Sequence, residues 1–434
     1  MIDELKRNVF VVGLDDAQRG ELETITNARG LAFHQLLDPA SVTHPEDHGF
    51  TPLLGRAREQ LSAFAGSVDA IIAHWDFPTS VLVPILGAEY GMPAPSLESV
   101  LASEHKLMSR IAQSESVEES VPGFSGFDPF ADDALEQITL DYPFWIKPVK
   151  SHSSQLGFKI ASAEDFHAAL PRIREGIRDI GDPFNEALAL ADLPDAIEKD
   201  SGTSCIAEEI MAGEQATIEG TMFHGEFNVH GVFDSPKDER GNHFDRYDYP
   251  ASLPEHIQTR MTATAEAYLR HIGYDNACFN VEFMWDQEHD RVCIVEVNTR
   301  ISQSHSDLCA KVDGMSNHEA AVSVALGSRP VMPDRRGPFA VAAKCFLYTE
   351  PMTDGIVRRA PTDADVAAVV ERFPETLVDI AVQEGDRLSQ LSHQSSYRYD
   401  LGTLSVGAQD RDELAQIHDA CRQLLPFEIE PLED

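Results

Sequence analysis

The chain has 434 residues, 42% of them hydrophobic, and its 73 acidic residues outnumber 34 Lys and Arg to give a net charge of −39. This length exceeds one ordinary hydrophobic core and predicts two or three domains. The negative charge argues against binding of nucleic acid or anionic membrane, since both bind through positive charge. Salt relieves self-repulsion of this size, so a high-salt cytoplasm is a reasonable hypothesis for the host.

The expected cellular location of the protein and the expected redox state of its cysteines are based on features that the sequence lacks. It contains no apolar run of about 18 residues and its N-terminus does not resemble a signal peptide, so a cytoplasmic protein is expected. Its six cysteines are widely spaced without a CxxC pair, which favours reduced core thiols over a zinc site or disulfides. Only nine residues are lysine, so a lysine in a functional position is more informative than usual.

The first segments alternate between strand and helix patterns. Predicted strands cover 7–13, 31–37 and 68–76, and predicted helices cover 15–29 and 55–65. This alternation predicts a parallel sheet with helices on its faces. Asp76 ends the third strand, at the sheet edge where open α/β folds bind ligands. Capping of the helix that follows is the interpretation we favour for Asp76, and no GxGxxG fingerprint indicates a dinucleotide site.

A turn-rich seam at 91–96 ends the first predicted domain, and a helix over 99–112 carries Lys106. Lys147 lies on a predicted strand at 144–149, before the small-residue loop SHSSQLG. Small residues let backbone N–H groups approach an anion closely, and a lysine adds charge for the same phosphates. An ordinary hairpin loop with a solvated lysine is the alternative.

Residues 205–235 predict a strand ending at Glu208 and Glu209, a turn at Gly213 and a hairpin. The polar loop 237–254 could cover a substrate. An amphipathic helix over 255–272 leads into the next hairpin, and 307–326 reads as one helix.

The hairpin at 279–298 is the most informative segment. A turn centred near His289 would set Glu282 opposite Glu296 and Asn280 opposite Asn298. Two acids and an amide oxygen on one face suit Mg²⁺, which prefers oxygen ligands. A solvated polar face is the alternative, but the flanking residues have core character.

These residues occur in one order: Lys106, Lys147 with its serine loop, Glu208–Glu209 before Gly213, then the hairpin acids, Asn298 and Arg300. That order resembles the ATP-grasp superfamily, in its carboxylate–amine ligase branch with a biotin-carboxylase-like three-part layout. The resemblance implies a parallel α/β pre-ATP-grasp domain at 1–98, an ATP-grasp domain at 99–330 and a small α+β domain at 331–434. It also implies a homodimer.

The resemblance further implies ATP and Mg²⁺ (or Mn²⁺) as cofactors, with Arg300 and Lys147 catalytic. Arg300 would stabilise the acyl phosphate or bind the substrate carboxylate. The residues that the resemblance assigns to ATP are Lys106, Lys147, Ser151, Ser153, Ser154, Glu208, Glu209, Ile210 and Met211, with Glu214 or Gln215 at the ribose. Those assigned to one or two metal ions are Glu282, Glu296 and Asn298. The candidates for small carboxylate and amine substrates are Arg300, His305, Arg246 and Asp76.

The implied reaction forms an acyl phosphate with release of ADP, and an amine then attacks it. The stretch NTRISQSH departs from biotin carboxylases, because Ser304 stands where their bicarbonate-activating glutamate would lie. An amide- or peptide-forming ligase acting on an amino acid or short peptide is therefore preferred. A biotin-carboxylase-like carboxylase and a nucleotide-binding protein without turnover are the alternatives.

Overall fold

The structure is a computed structural model that describes residues 6–26, 28–44, 48–151, 155–194, 197–198, 201–237, 245–349, 353–391 and 398–432. In chain order, the first elements are β1 (Arg7–Val12), α1 (Asp16–Thr24), β2 (Leu31–Leu36), α2 (Pro39–Thr43), α3 (Phe50–Ala63), β3 (Ala70–Ala73), α4 (Thr79–Tyr90), α5 (Leu97–Glu104), α6 (Lys106–Ser116), β4 (Phe124–Phe127), β5 (Phe144–Pro148), β6 (Phe158–Ile160), α7 (Ala163–Leu188) and β7 (Cys205–Glu209).

The remaining elements are β8 (Glu214–Phe223), β9 (Glu226–Asp234), β10 (Arg246–Tyr249), α8 (Glu255–His271), β11 (Ala277–Asp286), β12 (Arg291–Asn298), α9 (Ser306–Asp313), α10 (His318–Ala325), β13 (Val341–Tyr348), β14 (Gly355–Arg359), α11 (Asp363–Arg372), β15 (Leu377–Ile380), β16 (Asp400–Ala408), α12 (Arg411–Leu424) and β17 (Glu428–Pro431). Among the described residues, no helix combines the length and apolar character needed to cross a bilayer.

The chain divides into two compact units. Unit 1 contains 1–230, 253–303 and 317–332, and unit 2 contains 231–252, 304–316 and 333–434. The boundaries predicted from sequence at 98 and 330 stay predictions.

Unit 1 contains the predicted parallel sheet, in the order β2-β1-β3. Its strands are apolar because helices cover them, and Val9 and Val11 of β1 are fully buried in a core that includes Leu22 of α1. Asp15 caps α1 through a reciprocal capping box with Gln18.

Two further sheets of unit 1 carry most of the polar residues of interest. One is antiparallel with the order β4-β7-β5-β6, and its buried face packs on α7 through residues such as Ile146 and Ile173. In the other, β12, β11, β8 and the first half of β9 lie side by side. The segment 210–213 links β7 of the first sheet to β8 of the second.

Unit 2 is built on β10, β13, β16 and β15, which follow the second half of β9 in that order. Its core includes Leu404 and Val406 of β16 together with Cys421 of α12. β14 and β17 form a separate antiparallel pair. This composition agrees with the α+β character predicted for the C-terminal region.

Several sequence predictions require correction. The helix predicted over 99–112 is two helices that break at His105, whose ring nitrogen Nδ1 accepts a hydrogen bond from the N–H of Met108 and so caps α6. The helix predicted over 307–326 also breaks, because Gly314 ends α9 in a left-handed conformation with φ +84°. Strand β10 lies in the segment 237–254, which was predicted as a loop. All six cysteines are buried, as predicted.

Candidate active site

The two hairpin carboxylates face each other as the sequence predicts. β11 pairs with β12 so that Glu282 is opposite Glu296 and Asn280 is opposite Asn298. Two amides hold the Glu282 carboxylate: Gln215 Nε2 donates to its Oε2 at 2.9 Å, and Asn298 Nδ2 donates to its Oε1 at 3.3 Å. The side chains predicted for the metal therefore lie together on one face of the hairpin.

The two carboxylates differ in their ionisation. Burial and the facing charge of Glu296 raise the pKa of Glu282 to about 7. Burial also disfavours the charged form of Glu296, but the positive charges of Lys106, Lys147 and Lys150 outweigh it and lower the pKa of Glu296. One acid of the pair is thus held ionised by nearby lysines, while the other retains a proton to near-neutral pH.

Three lysines gather at this face, each against a carboxylate. Lys106 Nζ lies 3.0 Å from Glu296 Oε1 and donates to the Ser151 carbonyl oxygen at 3.3 Å. Burial lowers the pKa of Lys106 despite the attraction of Glu296. Lys150, a residue that sequence reasoning missed, pairs with buried Glu104. The Lys106 backbone N–H also donates to the Val149 carbonyl at 2.9 Å, which fixes the start of α6 beside the end of β5.

Glu208 is a buried anchor for two of the cations. Its carboxylate pairs with Lys147 Nζ and with Arg110 Nε, each at 2.6 Å. Burial opposes ionisation, but Arg110 and Lys147 lower the pKa of Glu208 to about 2. Arg110 also donates to the carbonyl oxygens of Ile294 and Val295 in β12, at 2.7 and 2.9 Å. A single guanidinium therefore joins strand β7 to the hairpin.

Arg300 follows β12 and forms a two-pronged pair with Asp76. Its Nε and Nη2 lie 2.7 and 2.9 Å from the two Asp76 oxygens. Although burial opposes it, the Asp76 charge raises the pKa of Arg300. The helix-capping interpretation of Asp76 is wrong, because Pro78 occupies the N-cap of α4 without a side-chain cap. Asp76 instead fixes the plane of the Arg300 guanidinium.

The segment predicted to hold adenine and ribose lies between the two antiparallel sheets of unit 1. Ile210 has 37% of its surface exposed and Met211 is partly exposed. Glu209 pairs with Arg291 at 2.9 Å, and Glu214 accepts from Gln287 at 2.5 Å. The assignment of this segment to the nucleotide therefore stays a prediction. The ribose assignment of Gln215 also stays a prediction, and its side chain contacts Glu282.

Other predicted residues lie elsewhere. Ser153 and Ser154 are outside the described residues. Arg246 and His305 belong to unit 2, where Arg246 pairs with Asp245 and Asp248 at 3.0 and 2.8 Å, and the ring of His305 stacks on Phe233 with centroids 3.8 Å apart. Their substrate-binding roles stay predictions.

The residues present fit a divalent ion. In the part of the chain that the structure describes, no group of three His, Cys, Asp or Glu side chains is arranged to hold a metal. The candidate ligands are instead two carboxylates and the Asn298 amide, and oxygen donors of this kind leave room for water and phosphate around Mg²⁺. The facing charges that raise the pKa of Glu282 would be offset by a cation between them.

Sequence reasoning missed several residues that complete this site, namely Glu104, Arg110, Lys150 and Glu219. The last of these lies on β8 opposite Asn280, whose amide donates to it. Lys150 had a usable signal, because it lies three residues after Lys147 in a chain with nine lysines. Glu219 also had one, as an acid within the apolar strand pattern ATIEGTMF. The partners of Glu104 and Arg110 lie 46 and 98 residues away, so the fold alone reveals them.

Sequence comparisons with known proteins match part of the chain. Residues 250–330 match the family model described as carbamoyl-phosphate synthase L chain, ATP binding domain. The carbamoyl phosphate synthase large chain of Rhodopirellula baltica is 29% identical over 161 residues, which are 36% of this chain and 14% of that relative. The chain thus matches about one seventh of the length of this curated relative.

Solved structures resemble the chain over almost its whole length. The L-amino acid ligase from Bacillus licheniformis has a TM-score of 0.71 at 13% identity, covering 99% of both chains. The biotin carboxylase domain of the Hydrogenobacter thermophilus 2-oxoglutarate carboxylase, solved as a dimer with MgADP, ADP and bicarbonate, has a TM-score of 0.62 at 15% identity, covering 98% of this chain and 91% of that one.

The predicted resemblance to the ATP-grasp superfamily and the predicted fold class are confirmed by these comparisons. All the similar proteins named above are enzymes, in agreement with the prediction of an enzyme.

Proposed function

We propose that the protein is an ATP-dependent carboxylate–amine ligase that activates a small carboxylate as an acyl phosphate and releases ADP and phosphate. The observation that carries this proposal is the pair of facing carboxylates Glu282 and Glu296, with Lys106 3.0 Å from one of them. A triphosphate and a carboxylate repel each other, so phosphoryl transfer between them requires cations among their oxygens. This face of unit 1 carries lysine cations, and its carboxylates are candidate ligands for a metal cation.

The lysines supply the fixed positive charge. Lys106, Lys147 and Lys150 would contact phosphate oxygens, and their carboxylate partners hold them in place before the nucleotide binds. Glu282, Glu296 and the Asn298 carbonyl would hold Mg²⁺ or Mn²⁺. When bound, the ion offsets the charge of the β- and γ-phosphate oxygens.

Arg300 is the candidate to hold the reacting carboxylate. Asp76 occupies one side of its guanidinium, and the remaining N–H groups can donate to a carboxylate or an acyl phosphate. A carboxylate oxygen attacks the γ-phosphorus as the bond to ADP breaks. The nitrogen of an amine then attacks the acyl carbon, the C–O bond to phosphate breaks, and the amine loses a proton.

The substrate class rests on similarity of fold. The L-amino acid ligase from Bacillus licheniformis shares the fold from end to end, which supports an amino acid or short peptide as the carboxylate. The Hydrogenobacter thermophilus domain is a dimer in complex with MgADP, which supports Mg²⁺ as cofactor and a homodimer as the assembly.

The test is ADP release from ATP and Mg²⁺ with pooled amino acids at high salt, comparing the wild type with Glu296→Ala. Glu288→Ala is the matched control, because it removes an exposed glutamate from the turn of the same hairpin. We expect turnover that requires a pair of amino acids, survives in Glu288→Ala and is lost in Glu296→Ala.

A carboxylate substrate labelled with ¹⁸O distinguishes the chemistry. An acyl phosphate intermediate transfers one labelled oxygen to the released phosphate, whereas simple ATP hydrolysis transfers none. ADP release that depends on bicarbonate and biotin would support a carboxylase instead. ATP binding without ADP release in any mixture would support a nucleotide-binding protein.

A further inference from the structure

A row of polar side chains crosses three strands beside the facing carboxylates. Asn298 of β12 is opposite Asn280 of β11, which is in turn opposite Glu219 of β8. The adjacent row on the same face, two residues along each strand, contains Glu296 and Glu282. The row through Glu219 is therefore directly next to the candidate metal ligands.

Hydrogen bonds along this row run in one direction. Asn280 Nδ2 donates to Glu219 Oε2 at 3.3 Å, and Asn298 Nδ2 donates to Asn280 Oδ1 at 3.3 Å. Asn298 Nδ2 also donates to Glu282 Oε1 at 3.3 Å. The amide nitrogen of Asn298 is thus committed to two acceptors, and its carbonyl oxygen is the atom it can offer to a cation.

Glu219 determines this direction because both of its oxygens already accept hydrogen bonds from other donors, which is the pattern that suits a carboxylate acting only as an acceptor. It is 1% exposed, and it also accepts from the Ser302 N–H at 2.8 Å and from Asn317 Nδ2 at 2.7 Å. These donors fix the carboxylate, so Asn280 must turn its NH₂ group towards Glu219 and its oxygen towards Asn298. A reversed Asn298 amide would place its oxygen against the Asn280 oxygen.

We propose that Glu219 is a positioning residue that fixes the amide orientation of Asn298 and so keeps its carbonyl oxygen directed to the metal site. The inference rests on the proposed function, since it concerns the ligands of the same ion. Residues that orient a ligand commonly change metal affinity by about 10- to 100-fold when replaced.

The first test is Glu219→Gln, which keeps the volume and allows the whole row to reverse. Binding of Mn²⁺ is followed by electron paramagnetic resonance in the presence of a non-hydrolysable ATP analogue. We expect Mn²⁺ affinity to fall by about tenfold or more, while affinity for the analogue in EDTA is unchanged. Thr221→Val is the matched control, as a fully buried polar residue on the same face of β8 one row further on.

A second variant separates orientation from packing. Asn298→Asp has two equivalent oxygens, so its metal affinity cannot depend on amide orientation. In the Asn298→Asp background, Glu219→Gln should no longer weaken Mn²⁺ binding. A loss of the same size in both backgrounds would show that Glu219 acts through general packing and would overturn the inference.

The remaining outcomes are also distinct. If Glu219→Gln does not fold, Asn280→Leu interrupts the row while Glu219 keeps Ser302 and Asn317, and we expect the same loss of Mn²⁺ affinity. Unchanged affinity in a folded Glu219→Gln or Asn280→Leu protein would refute the positioning role alone. A wild type that binds neither Mn²⁺ nor the nucleotide analogue would refute the proposed function and this inference with it.

Discussion

The free energy of unfolding should depend on the ionisation of Glu282, and Glu282→Gln isolates this dependence. Burial and the Glu296 charge raise the pKa of Glu282 from 4.5 to about 7 in the folded protein. In the unfolded chain, the same group ionises near its ordinary pKa of about 4.3. Between these values the folded state binds more protons than the unfolded state. The stability contributed by Glu282 is therefore present at low pH and is lost as the pH rises from about 4.5 to about 7.

The size of the effect follows from the two pKa values. Since each pKa unit is worth about 1.4 kcal/mol, the change from 4.5 to about 7 corresponds to roughly 3 kcal/mol. This is an upper value, because Glu282 is only half-buried. Buried histidines such as His74, His105 and His318 have lowered pKa values, so their contribution to stability has the opposite pH dependence and is lost as the pH falls below about 6.5. These histidines are present in both the wild type and Glu282→Gln, so their contributions cancel when the two free energies of unfolding are subtracted.

The assay is urea unfolding of the wild type and Glu282→Gln in EDTA at constant ionic strength, across a pH series from about 4.5 to about 8. As the pH rises over this range, we expect the free energy of unfolding of the variant to increase by up to roughly 3 kcal/mol relative to that of the wild type. Glu288→Gln controls for the loss of one glutamate charge from the same hairpin. A difference that is constant with pH would mean that Glu282 is already ionised near pH 5, and the argument from facing carboxylates would be wrong.

Two further predictions concern stability. Glu208→Ala leaves the buried charges of Arg110 and Lys147 without their shared partner and should lower the free energy of unfolding by about 3–5 kcal/mol. The control is Glu209→Ala at the neighbouring exposed position, which should change the free energy of unfolding by about 0–1 kcal/mol. Urea unfolding measures both variants, and equal effects would contradict the anchoring role of Glu208. Gly213→Ala should lower the melting temperature, because Gly213 has φ +111° and a Cβ there would lie 2.0 Å from the Trp285 carbonyl oxygen. A variant with the wild-type melting temperature would contradict this prediction and show that the segment between β7 and β8 can move to accommodate the Cβ.

The pairing of Glu282 with Glu296 could be predicted from the sequence, but the irregularity beside it could not. The polar turn gives the approximate hairpin centre, and alternation of apolar and polar residues assigns the faces. In the structure the register shifts between Glu282 and Phe283, because Phe283 is opposite Ile294 and Val295 is therefore an extra residue on β12. A slip by one residue would bury Glu282 in the core and expose Val281, so the register is strongly specified. Of the lysines that approach this face, Lys147 lies on a predicted strand, whereas Lys106 begins α6 and Lys150 follows the end of β5.

Short elements were not predictable because their neighbours stabilise them. β4 has the sequence FSGF with an internal glycine, and β10 is the polar segment RYDY, so neither has strong strand propensity. β4 exists because β7 pairs with it, and β10 because β13 does. The break at His105 likewise depends on a side chain capping the next helix, which a helical pattern over 99–112 conceals.

The acidic composition makes the position of the lysines meaningful. A net charge of −39 repels an anionic nucleotide at long range, but salt screens this repulsion at distances beyond the Debye length, which is about 10 Å or less. At contact distance the local charges dominate, because the effective dielectric constant near buried groups is lower than in water. Lys106, Lys147 and Lys150 are three of nine lysines in the chain, and each pairs with a carboxylate, which for Lys106 is Glu296 itself. Under the proposed function, the positive charge that would attract phosphate is thus concentrated on one face of unit 1, where the hairpin carries the proposed ligands of the accompanying cation.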